Sequence, residues 1–200
     1  TDDAIFKFVN ELLISTFDRQ KVFSNSIYHM SFVTLKGKRF SIKDDIPAEG
    51  VPALDFTFVK EDLNEATLFD DYSEGVKVLI AVPSLDTGIC QMETRKFNEE
   101  LSKRQGVTGI VISKDLPFAM KRFCEAEGIA NVVIGSDYRY SDFINEYNTE
   151  ILDGPMKGLS ARAVFVLDGD NVIRYSELVP EIAQEPEYDK ALAVVDELIS

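Results

Sequence analysis

Few of the 200 residues are equipped for covalent chemistry: two cysteines, Cys90 and Cys124, and a single histidine, His29. Cys90 lies in the stretch VKVLIAVPSLDTGICQMETRKF, Val76 to Phe97. There an apolar run, Val76 to Val82, is stopped by Pro83, and Ser84, Leu85, Asp86 and Thr87 bring turn formers and helix N-caps. Gln91 to Ser102 then has helical composition. The pattern predicts a buried strand, a proline turn and a helix that opens on cysteine. Helix N-termini leave backbone N–H groups unpaired and carry partial positive charge, which favours a thiolate over a thiol. The thiolate is the nucleophilic form, so Cys90 is a candidate nucleophile. Thr87, three residues earlier, brings a hydroxyl within reach of the sulfur or of whatever the sulfur attacks. Taken alone, Thr87 also suits a helix cap, and Cys124 suits a small buried hydrophobe on an apolar helix face.

The elements that must position these groups are set by length and composition. Two hundred residues with 45% hydrophobic content allow one well-cored domain plus a tail. A net charge of −14 argues against nucleic acid or an anionic membrane as partner, because both call for clustered Lys and Arg. No apolar stretch approaches the ~20 residues of a spanning helix. Two cysteines form no secretory disulfide framework, and with one histidine they build no metal site, so neither metal nor cofactor is expected. The start, Thr-Asp-Asp, lacks the basic flank of a signal peptide. These features read as a soluble, cytoplasmic protein.

Residues 1–29 read as an N-terminal extension, with Ile5, Phe6, Val9, Leu12, Leu13 and Phe17 at helical spacing. An amphipathic helix docked on the domain, a targeting leader and a partner-binding helix all fit it. From Met30 the domain begins. Ser31 to Ile42 alternates around Lys36-Gly37 as a β-hairpin would. Strands are predicted at Phe56–Lys60, Ala66–Phe69, Val76–Val82, Val107–Ser113, Asn131–Gly135, Arg162–Asp168 and Val172–Leu178. Helices are predicted at 89–103, with Phe97 and Leu101 inward, and at 115–127, 141–147 and 186–199. Pro117 suits a first helical turn and Gly128 a left-handed helix end. On the 115–127 helix, Phe118 and Met120 suit a hydrophobic substrate surface but at helical spacing read as core, with Phe123 packed inward as well. Asp168 to Asn171 reads as a hairpin turn, since a calcium loop would need further ligands. Crossover helices imply parallel strands, and the last two strands need only a turn. The fold class is therefore α/β, a thioredoxin-like fold: a central mixed sheet flanked by helices, with an N-terminal β-hairpin and an extra N-terminal helical tail.

Four stretches in this order resemble a known family. Pro83-Ser-Leu-Asp-Thr87-Gly-Ile-Cys90 is similar to the Pro-x-x-x-Thr-x-x-Cys signature of peroxiredoxins. Asp115-Leu-Pro-Phe-Ala119 with Arg122-Phe-Cys124-Glu-Ala-Glu-Gly128 resembles the bacterial thiol peroxidases, the atypical two-cysteine branch. So do Gly154 to Asp168 and Leu178-Val-Pro-Glu-Ile182. The resemblance covers residues 30–200 and leaves out 1–29.

It implies an antioxidant peroxidase that reduces hydrogen peroxide and organic hydroperoxides. By that resemblance Cys90 is the peroxidatic cysteine and Cys124 the resolving cysteine, the two joining in an intramolecular disulfide that thioredoxin reduces. The resemblance also implies that Thr87 and Arg162 orient the peroxide and stabilise the thiolate, that Pro83 shields the sulfur, and that the chain forms a homodimer. A guanidinium suits that role, being permanently charged with a fork of donors, although an Arg at a strand start is also a common surface ion-pair partner. Met120 and Glu125 depart from the family pattern beside Cys124, which bears on the rate of resolution. A peroxide sensor on the same fold is the alternative from another class. A disulfide oxidoreductase is disfavoured, because residue 87 is Thr where Cys-x-x-Cys would need cysteine.

Overall fold

The computed structural model describes residues 31–200; the extension at 1–29, its expected helix and Met30 lie outside the described residues. The strands are β1 (Phe32–Leu35), β2 (Lys38–Ser41), β3 (Thr57–Lys60), β4 (Glu65–Thr67), β5 (Val76–Ala81), β6 (Val107–Ser113), β7 (Val132–Ser136), β8 (Ala163–Leu167) and β9 (Ile173–Leu178). The helices are α1 (Leu68–Asp71), α2 (Gly88–Leu101), α3 (Pro117–Glu127), α4 (Asp142–Glu146) and α5 (Tyr188–Leu198). Seven strands form one sheet in the order β4-β3-β7-β6-β5-β8-β9. The central β7, β6 and β5 run parallel, joined through α2 and α3, and antiparallel pairs flank them on both sides.

Every residue of β5 is buried, as a strand covered on both faces requires. Its period-two alternation divides the core. Val76, Val78 and Ile80 meet Phe97, Leu101, Met120, Phe123, Leu192 and Val195 on the face of α2, α3 and α5. Leu79 and Ala81 meet Phe56, Phe143, Tyr147 and Phe165 on the face of α4. Lys77, fully buried on this strand, carries its Nζ out to Asn171 Oδ1 at 2.8 Å. Burial pulls its pKa down against the charges of Asp168 and Asp170. Gly109 lets α2 lie close on the sheet, since a Cβ there would stand 2.5 Å from Leu101 Cδ1 and 2.8 Å from Val132 Cγ1.

The β1–β2 hairpin is a separate two-stranded sheet over Val33, Phe40, Ile42, Ile151, Ala161 and Ile182. Lys36 and Gly37 both have positive φ, 52° and 77°, as a two-residue hairpin loop demands. The Glu181 carboxylate accepts both their amides, at 3.0 and 3.2 Å. Thr34 pairs with Pro180 and Ile182 through its backbone, so the hairpin braces the segment leading to α5.

Three expectations are corrected. The strand expected at Ala66–Phe69 stops at Thr67, because Thr67 caps a helical turn. Its Oγ1 accepts the Asp70 amide while the Asp71 carboxylate accepts the Thr67 amide. The helix expected from Asp115 begins at Pro117, because a residue before proline is driven out of helical geometry and Leu116 is extended (φ −70°, ψ 145°). Phe118 is 60% exposed where the core was expected. It sits in the first turn of α3 and lines an apolar surface groove with Val59, Leu63, Leu116 and Tyr138. Met120 and Phe123 are buried as expected. Among the described residues no helix is long and apolar enough to cross a membrane.

Candidate active site

The site forms where β5 ends. Val82 donates to Ile112 O, continuing the β6 ladder by one step, and buried Pro83 then ends it, having no N–H to give. The turn 84–87 closes with the Thr87 amide on Ser84 O at 3.1 Å, burying Leu85. Thr87 is the N-cap of α2, yet its side chain makes no cap hydrogen bond. Its Oγ1 lies 2.9 Å from Cys90 Sγ and 3.0 Å from Ser84 O. A hydroxyl has one proton and two lone pairs. It can therefore donate to the sulfur, or accept from an S–H while donating to Ser84 O. That geometry decides between the cap and the sulfur partner in favour of the sulfur.

Arg162 reaches the same sulfur from the neighbouring strand. The antiparallel register of β5 and β8 pairs Ala81 with Ala163, so Arg162 falls beside the end of β5. Its Nη2 donates to Cys90 Sγ at 3.3 Å and to Ile182 O at 3.2 Å, and its Nη1 is paired with Glu93 Oε2. Arg162 is 1% exposed and Cys90 and Glu93 are fully buried. Burial opposes the Arg162 charge, but Glu93 and Cys90 outweigh it and hold the guanidinium above its ordinary pKa. Burial pushes the Glu93 carboxyl up to about 8, with Arg162 only partly offsetting it and Glu177 and Glu185 adding to the rise. Two polar atoms here, Arg162 Nε and Glu93 Oε1, have no hydrogen-bond partner among the described residues.

Glu93 escaped the reading of the sequence. The signal was available: Cys90, Glu93, Thr94, Phe97 and Leu101 are spaced three, four, seven and eleven residues from the cysteine, one helix face, and all five are buried. A carboxylate on an apolar helix face needs a buried cation, and Arg162 is the one it has.

Cys124 stands apart from this cluster of polar partners. It is a free thiol on α3, as Cys90 is on α2, and both belong to the same apolar core. Burial pushes Cys124 up to about 12, and the Glu61 carboxylate adds to the rise. Its carbonyl accepts the amides of Gly128 and Ile129, so the last turn of α3 closes on Cys124 itself. Gly128 takes the left-handed conformation (φ 65°) expected of a helix end. Arg95 on α2 pairs with Glu127 at 2.6 Å, and Asn98 Oδ1 accepts the amides of Ala130 and Asn131, tying the two cysteine helices together. The structure thus brings Thr87, Cys90 and Arg162 together, with Pro83 buried where β5 ends, and leaves Cys124 outside their hydrogen-bonded cluster.

A fold with three parallel central strands and a cysteine in the first turn after the middle of the sheet defines a class, and sequence comparison agrees. The redoxin family model matches residues 48–192. The thiol peroxidase of Leptospira interrogans (serovar copenhageni) is 53% identical over 169 residues, covering 84% of this chain and 98% of that protein. The thiol peroxidase of Aquifex aeolicus is 44% identical, covering 84% and 94%. A solved peroxiredoxin-like protein from Aquifex aeolicus superposes with a TM-score of 0.79 at 42% identity, covering 86% of this chain and 99% of that one. The chain belongs to the redoxin family, among its peroxiredoxins of the thiol peroxidase kind. It is an oxidoreductase, a thiol-dependent peroxidase.

Proposed function

We propose that this peroxidase works through a Cys90 sulfenic acid and a Cys90–Cys124 disulfide. The Cys90 thiolate attacks the terminal oxygen of a hydroperoxide, forming an S–O bond as the O–O bond breaks. The departing alkoxide, or hydroxide when the substrate is hydrogen peroxide, takes a proton and leaves as alcohol or water. Cys124 then displaces the hydroxyl of the sulfenic acid, forming S–S and releasing water. A dithiol, with thioredoxin the reductant we propose, returns both thiols by exchange.

The observation that carries the reading is the convergence of Thr87 Oγ1 and Arg162 Nη2 on one buried sulfur. Fixed donors of that kind stabilise charge developing along the S···O···O line, and inside a buried site they do so without solvent screening. The Arg162 Nε–H, unpartnered among the described residues, is a further donor on the same guanidinium. Cys90 has no exposed surface while Thr87 is exposed, so peroxide approaches past Thr87. Pro83 is buried at the strand end, which supports the shielding role we assign it.

Cys124 changes its surroundings before it reacts, because burial pushes its thiol up to about 12 and the thiolate is the attacking form. Unwinding the last turn of α3, which hangs on the Cys124 carbonyl, together with the first turn of α2, provides that change. Amide exchange is expected to be faster at 87–93 and 120–128 than in β5; equal protection would contradict it. We further propose a cytoplasmic homodimer, with 1–29 a separate extension of the 30–200 domain. Sedimentation of the full chain and of one starting at Met30 tests this, two dimers being the expected result. The function itself is tested by steady-state consumption of an alkyl hydroperoxide with a thioredoxin reducing system. Wild type is expected to turn over and Cys90→Ser to do nothing; a peroxide sensor would react once and recycle poorly.

A further inference from the structure

We propose that Asp115 is a positioning residue for the peroxidatic loop, a latch that holds residues 84–87 in the reactive geometry and must release for the disulfide to form. The proposal rests on the roles given above to Cys90 and Cys124. One half-buried carboxylate gathers three donors: Ser84 Oγ on Oδ1 at 2.8 Å, and the Leu85 amide and Ser113 Oγ on Oδ2 at 2.7 and 2.8 Å. It is itself anchored to the sheet. The Asp115 amide donates to Ser113 Oγ at 3.1 Å, and Ser136 Oγ donates to Asp115 O at 2.6 Å. Ser113 ends β6 and Ser136 ends β7, so β6 holds the carboxylate and β7 the backbone of Asp115.

From Asp115 a chain of contacts leads to the sulfur. Ser84 gives its hydroxyl to Asp115, its carbonyl accepts the Thr87 amide, and Thr87 Oγ1 lies against Cys90 Sγ. Ser84 Oγ also accepts the Asp86 amide at 3.2 Å, which closes the turn on the latch. Two donors of the loop, Ser84 Oγ and the Leu85 amide, converge on this one side chain, which ties the loop to the sheet. The same residue lies two positions before Pro117, where the helix carrying Cys124 begins. Asp115 therefore stands at the entry of one cysteine helix while gripping the entry of the other. Holding the loop favours attack on peroxide; letting go favours unwinding of the first turn of α2. The two half-reactions make opposite demands on one side chain.

The test separates them. Sulfenic acid formation at Cys90 is followed by quenched-flow trapping with dimedone in a Cys124→Ser background, and disulfide formation by mass in chains with both cysteines. Asp115→Ala is expected to slow the first step about ten- to a hundredfold, the scale on which small misplacements of reacting groups act. It is expected to speed the second severalfold. Asp115→Asn, which keeps the shape without the charge, falls between on both. Amide exchange is expected to rise at 84–89 and stay unchanged in β5. Wild-type rates in a folded Asp115→Ala protein overturn the proposal. So does a proportional slowing of both steps with protection lost across the sheet, the mark of a merely structural role. If Asp115→Ala does not fold, Asp115→Asn and Ser84→Ala carry the same test, and unchanged rates in both overturn it. A wild-type chain that forms no sulfenic acid at Cys90 removes the underlying roles instead, whatever the Asp115 variants do.

Discussion

Arg162 and Cys90 are 72 positions apart in the chain, and Arg162 Nη2 lies 3.3 Å from the Cys90 sulfur. The same guanidinium spends its other terminal nitrogen on Glu93. One cation thus faces two groups able to carry negative charge, in a site where all three are buried.

Arg162→Lys is expected to fail nearly as fully as Arg162→Ala. A lysine ammonium is a point charge and cannot bridge the sulfur, Glu93 and Ile182 O as a planar fork does. The loss in the rate of Cys90 oxidation is expected to be about 10²–10³-fold, as for removal of one preorganised donor. Stopped-flow reaction with alkyl hydroperoxide measures it; a lysine variant at wild-type rate would show that charge alone suffices.

Glu93 links the site to pH. Its folded pKa, about 8, lies above the ordinary 4.5, so between those values the folded chain keeps a proton that the unfolded chain releases. Its contribution to stability is full below about pH 4.5 and is lost as pH rises toward 8, on the order of a few kcal/mol. Arg162, Glu177 and Glu185 are the charged groups that act on it. Glu93→Gln stays neutral throughout. Relative to wild type it is expected to gain stability in urea unfolding from about pH 5 to about pH 8; parallel profiles would contradict the raised pKa.

Cys124→Ser leaves the Thr87, Cys90 and Arg162 cluster untouched. One sulfenic acid per chain is expected to form at the wild-type rate, followed by loss of turnover with thioredoxin. Undiminished turnover would take the resolving role from Cys124.

Much of this was legible in the sequence because local rules and tertiary demands agree. The apolar run at Val76, the stop at Pro83 and Gly128 ending a helix are all found where the residue types placed them. Cys90 and Thr87 were legible because a turn and a helix start lie within eight residues of each other. Arg162 needed a resemblance, since its role depends on the register of β8 against β5, which no local pattern encodes. Glu93 was hidden by its chemistry: a carboxylate reads as solvent-facing until its cation, 69 positions away, is seen beside it. Asp115 read as a helix start because Asp suits that place, whereas its side chain is taken by Ser84, Leu85 and Ser113. Phe118 misread for the opposite reason, an aromatic whose helix turn overhangs a groove.

In the proposed cycle the oxidising equivalent of the peroxide enters at Cys90 and leaves through Cys124. Its most direct test is peptide mass mapping of the reduced chain after exposure to one equivalent of alkyl hydroperoxide, quenched over time. One oxygen is expected on the Cys90 peptide first, then its disappearance as a single crosslinked species joining the Cys90 and Cys124 peptides accumulates with two hydrogens lost. First oxidation at Cys124, or a stable Cys90 sulfenic acid with Cys124 still free, would contradict it.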